Sequence, residues 1–106
     1  MEDTVKRLAH VLGATGVECV GHDARFVVDS DDGCRLTVSL GGEQQRFMAC
    51  LRDSTGVTRA DLDVAPVSKV SEDPSFPGRV TLHVGHLLIH VEATPSLAIE
   101  VLSEET

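Results

Sequence analysis

Tryptophan and tyrosine are absent, and three phenylalanines are the only aromatic residues in a chain of 106. Core volume must therefore come from Val, Leu, Ile and Ala. Lysine is scarce too. Lys6 and Lys69 are the only two, and seven arginines complete nine basic residues set against 17 acidic ones, a formal net charge of −8. That balance opposes binding to phosphate backbones, which depends on basic side chains displacing counterions. The lack of aromatic platforms also removes the stacking that single-strand binders use, so no nucleic-acid partner is expected. The preference for Arg over Lys, together with the acidic excess, is the composition of a GC-rich, salt-adapted (halophilic) source, and acidity then speaks to solubility rather than to fold.

Long apolar runs are missing as well. Nothing approaches the roughly 18 consecutive apolar residues of a membrane span, and the opening MEDTVKRLAH has no apolar signal core. No membrane partner is expected. The three cysteines, Cys19, Cys34 and Cys50, are odd in number and contain no C-x-x-C pair, so reduced thiols and a cytoplasmic location are the simplest expectation.

What is present reads as one compact domain over 1–106. A chain of this length buries roughly two-thirds of its unfolded surface, enough for one ordinary core. Val5, Leu8, Ala9, Val11 and Leu12 recur at helical spacing behind Asp3 or Thr4 as cap, and Gly13 ends that helix. A short strand is expected over Val17–Val20. From Ala24 the period becomes two: Phe26 and Val28, then Leu36, Val38 and Leu40, alternate with polar residues across Asp31-Asp32-Gly33. A three-residue loop with Gly33 as a left-handed bulge pairs Val28 with Leu36 and Phe26 with Val38, and sets Asp29 opposite Arg35.

Residues 43–53 are good helix formers, yet Phe47, Ala49 and Leu51 also alternate, and the short Gly41-Gly42 link favours a third meander strand. Asp53–Asp61 reads as a loop with one helical turn capped by Thr58. Leu62–Val70, with Pro66, reads as an edge strand. Residues 72–78 hold two prolines and read as a loop. A second hairpin spans Arg79–Ala93. A Gly85-His86 type II′ turn avoids a β-branched residue at positive φ, and it pairs Val84 with Leu87, Leu82 with Ile89 and Arg79 with Glu92. Leu97, Ile99 and Val101 form a last strand before an acidic tail at 103–106.

The expected class is α+β: one N-terminal helix on a mainly antiparallel, hairpin-built sheet of about six strands. One three-turn helix cannot cover so wide a sheet. Either the sheet curls towards a barrel, or its uncovered part meets another subunit, and apolar Leu88, Met48 and Phe76 outside the core suit a homodimer.

Two side-chain groups stand out as candidate sites. Cys19-Val20-Gly21-His22 and His83-Val84-Gly85-His86 each hold two metal-ligating residues at the spacing of a zinc half-site, with His90 nearby. The hairpin register counts against a metal, since it places His86 in the turn and His83 opposite Leu88. The competing reading is two glycine turns with incidental histidines, and no cofactor is expected. In the meander, Arg25, Arg35, Arg46 and Arg52 share the face away from the core, where they could bind an anionic ligand or an acidic partner. The competing reading is a solvated face with acids as neighbours.

Catalytic templates fail: there is no G-x-S-x-G, phosphate-binding loop, H-E-x-x-H or dinucleotide fingerprint. Asp29-Ser30-Asp31-Asp32-Gly33 opens like a calcium loop, but its glycine comes one position early and Leu40 stands where a bidentate Glu is needed. Cys34 reads as a small core residue, and Cys50 as a more exposed thiol. The expected function is that of a non-catalytic interaction or accessory module acting through an exposed sheet face. A Cys/His metal module and a small enzyme without a recognisable motif are the alternatives.

Overall fold

A computed structural model describes residues 2–14, 16–21, 23–93 and 96–103. The capping side chains expected at Asp3 or Thr4, residue His22 and the tail from 104 lie outside that description, as do Thr15, Thr94 and Pro95. One helix, α1 (Glu2–Leu12), precedes nine strands: β1 (Glu18–Val20), β2 (Asp23–Asp29), β3 (Arg35–Gly41), β4 (Arg46–Arg52), β5 (Thr58–Val64), β6 (Lys69–Glu72), β7 (Arg79–Val84), β8 (Leu87–Glu92) and β9 (Ala98–Ser103).

The α+β class with its single N-terminal helix is as expected. The strands, however, form two antiparallel sheets rather than one sheet of about six or a closed barrel, ordered β1-β2-β3-β4-β5 and β6-β7-β8-β9. The inner residues of both sheets and the apolar stripe of α1 belong to one buried cluster.

The helix ends as its glycine requires. Gly13 has φ +81°, its N–H donates to His10 O at 3.1 Å, and Ala14 N–H donates to Ala9 O at 2.9 Å. These are the paired bonds of a Schellman cap. Val5, Leu8, Ala9 and Leu12 are buried, and the helix touches β2 of the first sheet and β6 and β7 of the second. Arg7 pairs with Glu72 at 3.1 Å, tying α1 to the end of β6.

Both hairpin registers are observed: Val28 opposite Leu36 and Asp29 opposite Arg35, and Leu82 opposite Ile89 and Val84 opposite Leu87. In the first turn Ser30 N–H donates to Cys34 O at 2.9 Å, and Gly33 has φ +89°. A Cβ on Gly33 would lie 2.8 Å from that of Ser54, so glycine is required both by the backbone and by the loop beside it. In the second turn Gly85 has φ +58°, as a type II′ turn needs.

Residues 43–53 contribute β4, with Phe47, Ala49 and Leu51 buried. Two expectations fail between 53 and 70. The loop is confined to 53–57, because Thr58 opens β5 rather than capping a helical turn. The strand expected over Leu62–Val70 is divided: its start closes β5, and its end belongs to β6 in the other sheet. Residues 65–68 make the crossing, with a cis Ala65–Pro66 bond. Val67 N–H donates to Gln45 O, in the turn between β3 and β4 of the first sheet, at 3.0 Å, and Ser68 N–H donates to His83 O of the second at 2.9 Å. Neighbouring backbone donors thus tie the crossing segment to the β3–β4 turn and to β7, and Val67 is buried in the core cluster.

Candidate functional site

Because the meander is in continuous register, the outward residues of β2 to β5 fall into rows running across the strands. Asp29, Arg35 and Arg52 make the first row. Val27, Thr37, Cys50 and Asp61 make the second. Glu18, Arg25, Ser39, Met48 and Asp63 make the third, and Asp23 and Arg46 flank Gly41 in the fourth. All four arginines singled out from the sequence share this outer face and are exposed.

They do not form one electropositive patch. Arg35 holds Asp29 at 2.7 and 3.4 Å. Arg46 holds Asp63 through Nε at 2.6 Å and also through Nη2. The Asp29 contact lifts the Arg35 guanidinium further above its ordinary value, and Arg46 holds the Asp63 carboxyl below the usual carboxylate range. Arg25 stands opposite Glu18, and Arg52 stands beside Arg35.

The four rows carry four arginines against five carboxylates, close to neutrality on a chain of net charge −8. Sequence reasoning found the basic half and missed part of the acidic one. Asp61 and Asp63 reach this face only because β5 is a strand. The alternation of Ala60, Leu62 and Val64 with those aspartates was the available signal.

The middle of the face is small and mildly apolar. A shallow depression of about 250 Å³ runs over Thr37 and Ser39 and is bordered by Arg25, Met48 and Cys50. On its two sides Val27 is 41% exposed and Met48 40%, leaving apolar surface in contact with water. The second sheet carries a smaller apolar pair on its outer face, half-buried Leu88 opposite Leu102. Its exposed large apolar strand residues, Val101 and Leu102, are consecutive on the edge strand β9 and point to opposite faces.

The cysteine and histidine candidates are not brought together. Cys19 is exposed on β1 of the first sheet, whereas His83 and His90 lie on β7 and β8 of the second and His86 sits in their turn. His90 Nδ1 is bonded to Arg79 Nη2. Among the described residues no three His, Cys, Asp or Glu side chains are placed to hold a metal ion, and His22 lies outside them. Cys34 packs against the core cluster, and burial together with the adjacent Asp32 pushes its thiol up, which suits a packing role more than a nucleophilic one.

No described helix is long and apolar enough to cross a membrane. Compared with known protein families, with curated proteins and with solved structures, the chain matches none. The class that the fold defines is an α+β protein, and the outer face of its first sheet is open and close to charge-balanced.

Proposed function

We propose that this chain is a non-catalytic interaction module that works through the outer face of β1–β5, in a cytoplasmic setting. The observation that carries this reading is the conjunction at the centre of that face. Val27 and Met48 are each about two-fifths exposed across a floor of Thr37 and Ser39, and a balanced frame of Arg and Asp surrounds them. Apolar centres with polar, satisfied rims are the anatomy of protein–protein contacts. Exposed apolar side chains grouped on one face call for a partner more than scattered ones do. The four rows carry no histidine, so no imidazole stands there to activate the Cys50 thiol or the Ser39 and Thr37 hydroxyls.

Site-specific photocrosslinking in the native cells tests the reading. A photoreactive amino acid replacing Met48 is expected to give a discrete protein adduct. The same group replacing Leu88, on the outer face of the other sheet, is expected to give none. Equal adducts from both positions, or none from position 48, would overturn the proposal.

A further inference from the structure

The geometry points to a second copy of this chain as the occupant of that face, packed sheet on sheet about a two-fold axis that runs along β3. The inference rests on the interaction face proposed above and is carried by how charge is distributed among its strands. β2 presents a carboxylate at both ends, Asp29 and Asp23, whereas β4 presents a guanidinium at both ends, Arg52 and Arg46. β3 lies between them, with only Thr37 and Ser39 at its middle.

A two-fold axis along β3 exchanges β2 of one copy with β4 of the other while keeping each residue in its row. Arg52 then faces Asp29, Arg46 faces Asp23, Cys50 faces Val27, and Met48 faces the aliphatic stem of Arg25. Each contact occurs twice, as an isologous interface demands. The small Thr37 and Ser39 lie on the axis, where two sheets about 10 Å apart need room.

The alternative two-fold axis, perpendicular to the strands, fails on charge. It sets Arg52 over Arg46, Asp29 over Asp23 and Asp61 over Asp63. The axis along β3 has costs of its own, since Arg35 meets Arg35 and Glu18 meets Asp63. The first is offset because each Arg35 already holds Asp29. The second falls at corners that separate as the two twisted sheets cross at about 30°.

Net charge favours the same face. Two copies of a chain at −8 repel one another over most of their surfaces, and these rows, close to neutral, let them approach. The size of the face sets the expected strength. Five strands at about 4.8 Å spacing and about seven residues at about 3.3 Å rise give a footprint on the order of 500 Å². A standard interface covers about 800 Å² per partner, so micromolar association is expected rather than nanomolar.

Sedimentation equilibrium on the full chain tests this directly. The wild type is expected to dimerise. Met48→Glu places a carboxylate in the centre and is expected to weaken the dimer at least ~10-fold. Arg52→Glu and Asp29→Lys are each expected to weaken self-association to a similar degree, because each juxtaposes like charges twice. Mixed in equal amounts, the two variants are expected to recover dimer. In the mixed pair the carboxylate introduced at position 52 meets the ammonium introduced at position 29, and the unaltered Asp29 and Arg52 meet at the symmetry-related contact. Circular dichroism on each variant confirms that it is folded.

A wild type that stays monomeric to about 1 mM would overturn the inference, as would a dimer indifferent to Met48→Glu or a mixture that fails to recover. A monomeric chain that still crosslinks through position 48 to a different protein removes the second copy and leaves the interaction face standing.

Discussion

The two sheets are built by the same device and finished in opposite ways. Each is an antiparallel meander whose inner face is lined by Val, Leu, Ile, Phe or Ala. On the first sheet the outer polar groups pair in the plane of the sheet: Arg35 with Asp29 and Arg46 with Asp63, all roughly half exposed or more. On the second sheet one basic residue is covered by the chain's own loop. The Arg79 guanidinium lies 5.1 Å from the Phe76 ring centroid, its Nε approaches Glu92 at 3.2 Å and its Nη1 approaches Asp73 at 3.9 Å, and its side chain is only 18% exposed.

A desolvated cation between two carboxylates and an aromatic ring cannot be replaced by water, whereas a solvated pair on an open face can. The second sheet therefore uses its outer charge to hold its own loop, and the first leaves its outer charge available to something else.

The largest effects should ignore this contrast, because both sheets share one core. Leu36 on β3 and Leu82 on β7 are both fully buried. Truncating either to Ala is expected to cost about 2–5 kcal/mol and to move a single cooperative urea transition. Two separate transitions would show that the sheets are independent units.

The next effect should expose the contrast. Arg79→Ala leaves Glu92 and Asp73 without their cation and Phe76 without its cover, and is expected to cost about 2 kcal/mol. Arg46→Ala removes a pair with two hydrogen bonds, but on an open face, and is expected to leave the urea midpoint of the monomer within error of wild type. Equal losses from the two substitutions would break the comparison.

How much of this was legible in the sequence depends on how strongly each segment was over-determined. The hairpins at 26–38 and 80–91 could be read to the residue. There a period of two, a turn with one acceptable glycine register and opposed charges (Asp29 with Arg35, Arg79 with Glu92) all agreed. β5 could not. Its inner residues Ala60, Leu62 and Val64 are only half buried, and a bulge between Leu51 and Arg52 shifts its pairing. Burial therefore selects weakly for an apolar face, and the charged residues that protect an edge strand look like loop.

The division of the chain into two sheets was invisible for a different reason. Val64 and Val70 carry the same alternating pattern on either side of Pro66, and the pattern does not record that the hydrogen-bond partners change. On the candidate face, the arginine half followed from strand parity alone. The acidic half waited on β5, and an apparently basic face became a balanced one.

The smallest expected effect lies in the loop at 53–57 and sharpens the comparison from the side of the first sheet. Asp53 accepts from Thr55 Oγ1 at 2.6 Å and from the N–H groups of Thr55 and Val57 at 3.0 Å each. Its second oxygen accepts from Arg59 Nε at 2.8 Å. The Thr55 hydroxyl leads this set of donors in holding the carboxyl down to about 2.

An unfolded aspartate takes up its proton near 3.9, so the folded chain binds that proton later than the unfolded chain as pH falls. The contribution of Asp53 is therefore complete above about pH 4 and disappears as pH drops through about 2. Asp53→Asn keeps the shape of the loop but cannot lose a charge. In urea titrations between pH 7 and pH 2 it is expected to start below wild type in stability and to decline less steeply below pH 4. An unchanged acid limb would show that Asp53 does not anchor the turn that carries the chain from β4 into β5, the strand that brings Asp61 and Asp63 to the open face.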